Sequence, residues 1–223
     1  MNNNYLDEAQ YNQRFKADDK VLKEALKQAY EIRKFEIDLY WKRATYFWTF
    51  IGAAFVGFAA FFNSSAGDAN DRAFVLTLIS CIGFVFSVAW YCVNKGSKFW
   101  QENWENHVSL LEDEVFGPLY KTLTKRPVST KFTGKFSDLM TGPEPFSVSK
   151  INQLVSTYVV IVWALILYSV TGALSLELPI DFRRAIPIVL AILTSVSFWT
   201  LGRSHQGKHE LLVMQRSVEI KQP

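Results

Sequence analysis

The sequence predicts an all-α, polytopic membrane protein with four transmembrane helices, the first two extended on the cytoplasmic side. Three observations predict it. Charged residues make up 20% of the 223-residue chain, yet four stretches contain none at all. Each of those stretches is about the 20 residues that a helix needs to cross a hydrocarbon core of about 30 Å. Aromatic residues reach 15%, with 18 Phe and 7 Trp, an apolar content that a disordered chain lacks. The mean hydropathy of +0.06 averages two unlike kinds of segment. A net charge of +3, from 24 Lys+Arg and 21 Asp+Glu, is too balanced for a nucleic-acid partner.

Residues 1–43 form the first cytoplasmic segment. Its mixture of nine basic and eight acidic residues does not resemble a cleavable signal, which has a short basic start followed by an apolar run. Asn12–Arg43 reads as one helix, with no Pro or Gly inside it and opposite charges four apart at Lys20/Glu24, Lys27/Glu31, Lys34/Asp38 and Asp38/Lys42. One apolar stripe runs Leu22, Ala25, Ala29, Ile32, Leu39 and a second runs Leu26, Tyr30, Ile37, Trp41. A helix lying on one partner needs a narrower stripe, so this one is expected to touch neighbours on two sides and to help hold subunits together.

The first span is Ala44–Phe62 and the second Ala73–Val93, joined by a short outer loop. The 94–153 segment then returns to the cytoplasm. Ser97–Phe116 reads as a helix with Trp100, Trp104, Val108, Leu111 and Val115 on one face, ended by Gly117-Pro118. Antiparallel spans joined by a short loop are neighbours. The Trp100–Val115 stripe is therefore expected on Leu22, Leu26 or Ala29 of the first helix, with an acidic residue near Lys23 or Lys27. Gly96-Ser97 is the place where a kink would be expected. Residues 117–146 read as loop with short strands around Phe132 and Phe136, and Ser147 or Ser149 as an N-cap. The third span is Leu154–Leu176. The fourth, Ala185–Gly202, carries Pro187 in its first turn, where a missing N–H is tolerated. The tail, 203–223, is expected to continue the fourth helix.

Orientation follows from the basic residues. Of the 24 Lys+Arg, 21 fall in 1–43, 94–153 and 203–223, and only Arg72, Arg183 and Arg184 on the other side. The positive-inside rule puts both termini in the cytoplasm, and Trp41, Trp48, Trp90 and Trp199 agree with an aromatic belt at the inner interface; Trp163, near mid-membrane, does not.

Motifs that carry chemistry are scarce. The spans hold no Asp, Glu, Lys, Arg or His, which argues against coupled transport. His205 and His209 stand four apart but lack a third ligand, so solvated tail residues are the reading favoured over a metal site. His107, near Glu102 and Glu105, is expected to cap or lie on the surface. Glu112-Asp113-Glu114 could suggest a divalent cation, but a solvated acidic helix end or a basic partner explains it. Cys81 and Cys92 lie about 16 Å apart along one helix and cannot pair; Cys92 near the interface is a palmitoylation candidate. Small residues four apart, Ala53/Gly57, Gly83/Ser87 and Ser169/Ala173, are candidate helix contacts. No phosphate loop, nucleophile elbow or carboxylate pair appears. The chain is therefore read as a non-enzyme, with no catalytic, cofactor-binding or metal-ligating residue.

Three segments together resemble a known family: EIRKFEIDLYWKRATYFW (Glu31–Trp48), NKGSKFWQENWENHVSLLEDEVFGPLYK (Asn94–Lys121) and PFSVSKINQ (Pro145–Gln153). They are similar to the bacterial RipA-family octameric membrane proteins. The resemblance implies eight copies in the bacterial cytoplasmic (inner) membrane and supplies no catalytic residue. The expected role is a self-assembling scaffold that presents cytoplasmic helices to a protein partner. The alternative is an oligomeric pore, or a stress or defence effector that overlaps both.

Overall fold

The computed structural model describes residues 8–65, 67–124, 140–171 and 181–203. Among the described residues six helices follow one another: α1 (Glu8–Phe15), α2 (Asp19–Phe62), α3 (Ala69–Leu111), the single turn α4 (Asp113–Phe116), α5 (Val148–Thr171) and α6 (Phe182–Thr200). No strand occurs among the described residues. Four of the helices, α2, α3, α5 and α6, are long and apolar enough to cross a membrane. The segment around Phe132 and Phe136 lies outside the described residues.

The boundaries follow from side-chain caps more than from glycine or proline. Asp18 is extended and accepts from the N–H of Lys20 (2.7 Å) and Val21 (3.4 Å). It satisfies donors that the first turn leaves unbonded, and so the helix expected from Asn12 to Arg43 is broken at residues 16–18 into α1 and α2. From Asp19, α2 runs without interruption for 44 residues through its charged half and its apolar half. Asp68 caps α3 through Asp71 N, which starts that helix at Ala69, ahead of the uncharged stretch. α3 then passes through Gly96 and Ser97 unbroken. The expected weak point is held because Ser97 is buried against Arg43.

Asp181 caps α6 through Arg183 N and draws two arginines into its first turn. Pro187 consequently lies inside the helix, not in its first turn. α6 stops at Thr200, where Gly202 N–H turns back to Ser197 O at 3.2 Å; the rest of the tail expected to continue it, 204–223, lies outside the described residues. Ser147, rather than Ser149, serves the start of α5, with Oγ accepting from Lys150 N at 3.3 Å.

α3 is the centre of the bundle. α2, α5 and α6 all pack on it. Buried residues on α3 recur as Ser80, Gly83, Ser87, Trp90, Asn94, Ser97, Gln101, Val108 and Leu111. Most spacings are three or four, the 3.5-residue repeat of a coiled-coil seam. Trp163 of α5, with no exposed surface, inserts at Gly83 and meets Phe55 at 4.4 Å between ring centroids. This burial explains why Trp163, within a span, does not fit an interfacial belt. Of the small pairs, Gly83/Ser87 makes a helix contact, and Gly57 faces Ile79 of α3. Ala173 lies outside the described residues.

Beyond the apolar halves, α2 and α3 continue as a hairpin. Its core is Leu22, Leu26 and Ala29 against Val108 and Leu111, flanked by Trp104, Val115, Tyr30 and the α1 residues Tyr11 and Phe15. This is the expected packing, with one exception: Trp100 is 41% exposed and lies off the seam. The ion pair expected at Lys23 or Lys27 forms instead between Lys16 and Glu114 at 3.2 Å, because the break before Asp18 folds the α1 end back on the hairpin. Of the four expected pairs along α2, the one that closes among the described residues is Asp38–Lys42, at 2.7 Å.

The acidic run is held by the protein itself. Glu112 has no exposed surface, and its carboxylate accepts from Tyr120 N at 2.7 Å and Lys121 N at 3.1 Å. Asp113 pairs with Lys121, and Glu114 with Lys16. Gly117, at φ 81°, makes the reversal that brings the chain back to Glu112, in a region few other residues adopt without strain.

Candidate functional site

The α2–α3 seam changes character along its length. At the tip it is the Leu22–Leu111 core; in the apolar halves it is Ile51, Ser87 and Trp90. Between them lies a polar layer. Asn94, Ser97 and Gln101 of α3 are buried there, opposite Arg33, Glu36, Tyr40 and Arg43 of α2. Successive residues three and four apart on each helix bring the two sets face to face.

The layer is cross-braced. Arg33 Nη2 lies 3.5 Å from Glu105 Oε1, and Lys98 bridges Glu102 (3.3 Å) and Glu105 (3.7 Å). Arg43 Nη1 donates to Ser97 Oγ at 3.1 Å and stands 3.8 Å from Glu36 Oε2. Asn152, at the start of α5, donates from Nδ2 to the Tyr40 hydroxyl at 2.7 Å. Burial raises the Tyr40 pKa, and the Asn152 hydrogen bond opposes that shift. Arg33 Nε, Glu36 Oε2 and Asn94 Nδ2 are buried and make no hydrogen bond among the described residues.

Three cations, Arg33, Arg43 and Lys98, balance three carboxylates, Glu36, Glu102 and Glu105. Acid–base chemistry needs a carboxylate or imidazole poised near the working pH and within reach of a substrate proton. Here each carboxylate already faces a cation. What such a layer does well is fix register: sliding one helix by a turn would take the buried Asn94, Ser97 and Gln101 away from their polar neighbours and part the half-buried ion pairs, at about 1–3 kcal/mol for each buried polar group left without a partner.

The residues singled out in the sequence fall elsewhere. His107 is half-buried beneath α1, not on the surface, and its Nδ1 is 2.8 Å from the Tyr11 hydroxyl. Burial lowers its pKa and raises that of Tyr11. No group of three His, Cys, Asp or Glu that could hold a metal occurs among the described residues. His205 and His209 lie outside them. Cys81 is buried and Cys92 half-buried, both as free thiols.

The polar layer itself was not read from the sequence as a site. Its signal was there: Asn94, Ser97 and Gln101 keep the three- and four-residue spacing that Val108 and Leu111 continue. The three family-like segments meet at this layer. Arg33, Glu36, Tyr40 and Arg43 belong to the first, Asn94, Ser97, Gln101 and Glu105 to the second, and Asn152 to the third.

Residues 23–172 match the octameric membrane protein family (8xMP), a span that takes in most of α2, all of α3 and α5, and the polar layer. The chain belongs to this family. Membership makes it a membrane protein of an octamer-forming family, and the match carries no RipA label. No curated protein and no solved structure matches the chain. α1 and α6 lie outside the matched span.

Proposed function

We propose that this 8xMP chain is a non-enzymatic scaffold. Eight copies assemble in a bacterial cytoplasmic membrane through spans 44–62, 73–93, 154–176 and 185–202, and present the α2–α3 hairpins to a cytoplasmic protein partner. The observation that carries the reading is the pair of uninterrupted helices. α2 and α3 are 44 and 43 residues long. The charged half of α2, Asp19–Arg43, reaches about 37 Å beyond its apolar half at about 1.5 Å per residue. A capped, charge-locked hairpin of that length is a rigid strut. Its outward flank still shows Val21 and Phe35, fourteen residues apart and so on one face, which are 46% and 59% exposed. That apolar flank gives neighbouring copies a surface to share.

The spans favour a scaffold over a pore. Hydroxyls on exposed positions of the apolar halves are turned onto their own helices: Thr45 donates to Trp41 O, Thr49 to Thr45 O, Thr157 to Gln153 O and Ser169 to Ile166 O. A conducting path needs polar groups aimed at the ion or water instead. Purified octamer in planar bilayers is expected to show no conductance above the lipid baseline. Reproducible unitary currents would replace the scaffold by the pore.

The cytoplasmic orientation is supported by the 21 basic residues on the hairpin side. Alkaline phosphatase fused after residue 68 should be active, and fused after residue 121 inactive. The opposite pattern would invert the assignment.

A further inference from the structure

Where the apolar halves of α2, α3 and α6 give way to charge lies a two-lobed cavity. One lobe, of about 440 Å³, is lined by Glu36, Arg43 and Ser97 above and by Ala89, Val93 and Phe198 below. The other, of about 360 Å³, is lined by Lys95, Phe99, Trp199 and Arg203. Cys92, Gly96, Trp100, Phe198 and Gly202 line both, so the lobes are continuous. The Lys95 ammonium lies 5.7 Å from the Trp199 ring centre, and the Arg203 guanidinium 5.9 Å from the same ring. Two cations thus share one indole at the rim.

The lining has the polarity of an amphiphile. Arg43, Lys95 and Arg203 outnumber Glu36 by two charges, and all stand at the polar end. Ala89, Val93 and Phe198 continue into the apolar halves of their helices. Volumes of this size fit small-molecule sites, and basic recesses between membrane helices at the interface suit acidic headgroups.

We propose that this cavity binds the headgroup phosphate of an acidic glycerophospholipid from the adjoining leaflet, with Lys95 and Arg203 at the phosphate and an acyl chain running down past Val93 and Phe198. The α6 wall lies outside the residues matched to the family. The site stands whether or not the octamer acts as a scaffold.

Two measurements on the full-length octamer decide it. In native mass spectrometry, delipidated octamer titrated with phosphatidylglycerol should retain adducts that phosphatidylcholine does not give. The Lys95→Gln/Arg203→Gln double variant should lower that retention roughly tenfold, and Lys23→Gln on the distant hairpin should leave it unchanged. Soluble glycerol phosphate should not compete. Equal retention of the two lipids, or competition by glycerol phosphate at matched concentration, overturns a lipid site. The second measurement uses Cys92 as a reporter in a Cys81→Ser background and needs no change to the cations. Maleimide labelling should slow at least severalfold in phosphatidylglycerol vesicles relative to phosphatidylcholine. Equally slow labelling in both would show that a neighbouring copy, or residues 204–223, fills the cavity, and equally fast labelling that no lipid enters it; either result refutes the proposal.

Discussion

Replacing Val108 by Asp is expected to open the α2–α3 hairpin while leaving the four long apolar helices in the membrane. Val108 has no exposed surface and sits among Leu22, Leu26, Ala29 and Leu111. The side chains around it are apolar, so the new carboxylate would be buried among them without a charge partner. An unpaired buried charge typically costs about 3–5 kcal/mol. Truncation in the same place, Val108→Ala, removes only packing and should cost about 1–3 kcal/mol. The flanking α1 residues Tyr11 and Phe15 rest on the same core, so α1 should be released with the hairpin tip. Limited proteolysis in mild detergent reads the outcome. Cleavage within 19–32 and 104–116 should accelerate at least tenfold in Val108→Asp, less in Val108→Ala, and negligibly in Glu31→Gln, an exposed position on the same helix. If all three variants resist protease as the parent does, the hairpin is held by something other than this core.

The hairpin core was legible because it is local and apolar. Val108 and Leu111 on one helix, and Leu22, Leu26 and Ala29 on the other, repeat at helical spacing, and a short connection between spans makes the helices neighbours. The polar layer three turns further in obeys the same spacing but is written in Asn, Ser and Gln. A search for apolar periodicity passes over it. The same blindness placed Trp100 on the seam. Hydrophobicity favours Trp100 over its neighbour Gln101, yet the 3.5-residue repeat from Ser97 reaches Gln101 and then Trp104, and Trp100 is left facing the cavity at the α6 side.

Caps explain where the helices begin. The uncharged stretches begin at Ala73 and Ala185, but Asp68 and Asp181 start the helices earlier, because a carboxylate at an N-cap pulls polar residues into the first turn. Asp18 likewise breaks a run that contains no Gly or Pro. The Glu112 burial had no sequence signal at all. An acidic residue near a helix end is usually solvated, and only the Gly117 reversal supplies the two N–H groups that make its burial tolerable. The Tyr40–Asn152 bond joins residues 112 positions apart, a distance over which spacing arguments have no purchase. What the family-like segments offered was a set of stretches without a geometry; the fold supplies the reason that they go together.

Gly83→Val is expected to be the most damaging single substitution in the apolar part of the bundle. A Cβ at Gly83 would lie 2.4–2.6 Å from three atoms of the Trp163 indole. The obstacle is the rigid face of a ring, not the tip of a flexible chain. Trp163 has no free room either: Phe55 and Phe58 close on it at centroid distances of 4.4 and 6.2 Å, and its own exposure is zero. Lipid tails are as apolar as the side chains, so helix association within a bilayer rests on close packing more than on removal of surface from water. A substitution that forces α3 and α5 apart therefore strikes the main term that joins them. Overpacking by one methyl, Gly83→Ala, should cost about 1–3 kcal/mol, and the two further methyls of Val more. The reverse change, Trp163→Ala, removes the knob and should cost about 3–5 kcal/mol through the cavity it leaves. The two positions are in contact, so their effects should not add. In the Gly83→Val/Trp163→Ala double variant the valine occupies space the indole has vacated, and roughly 1–3 kcal/mol should be recovered. Steric trapping or thermal unfolding of the octamer in detergent, followed over the four corners of this cycle, gives the coupling directly. A double variant as unstable as the sum of its singles would mean that Trp163 and Gly83 do not meet, and that α5 is held in the bundle elsewhere, at Ser156 or to α2 through Asn152 and Tyr40.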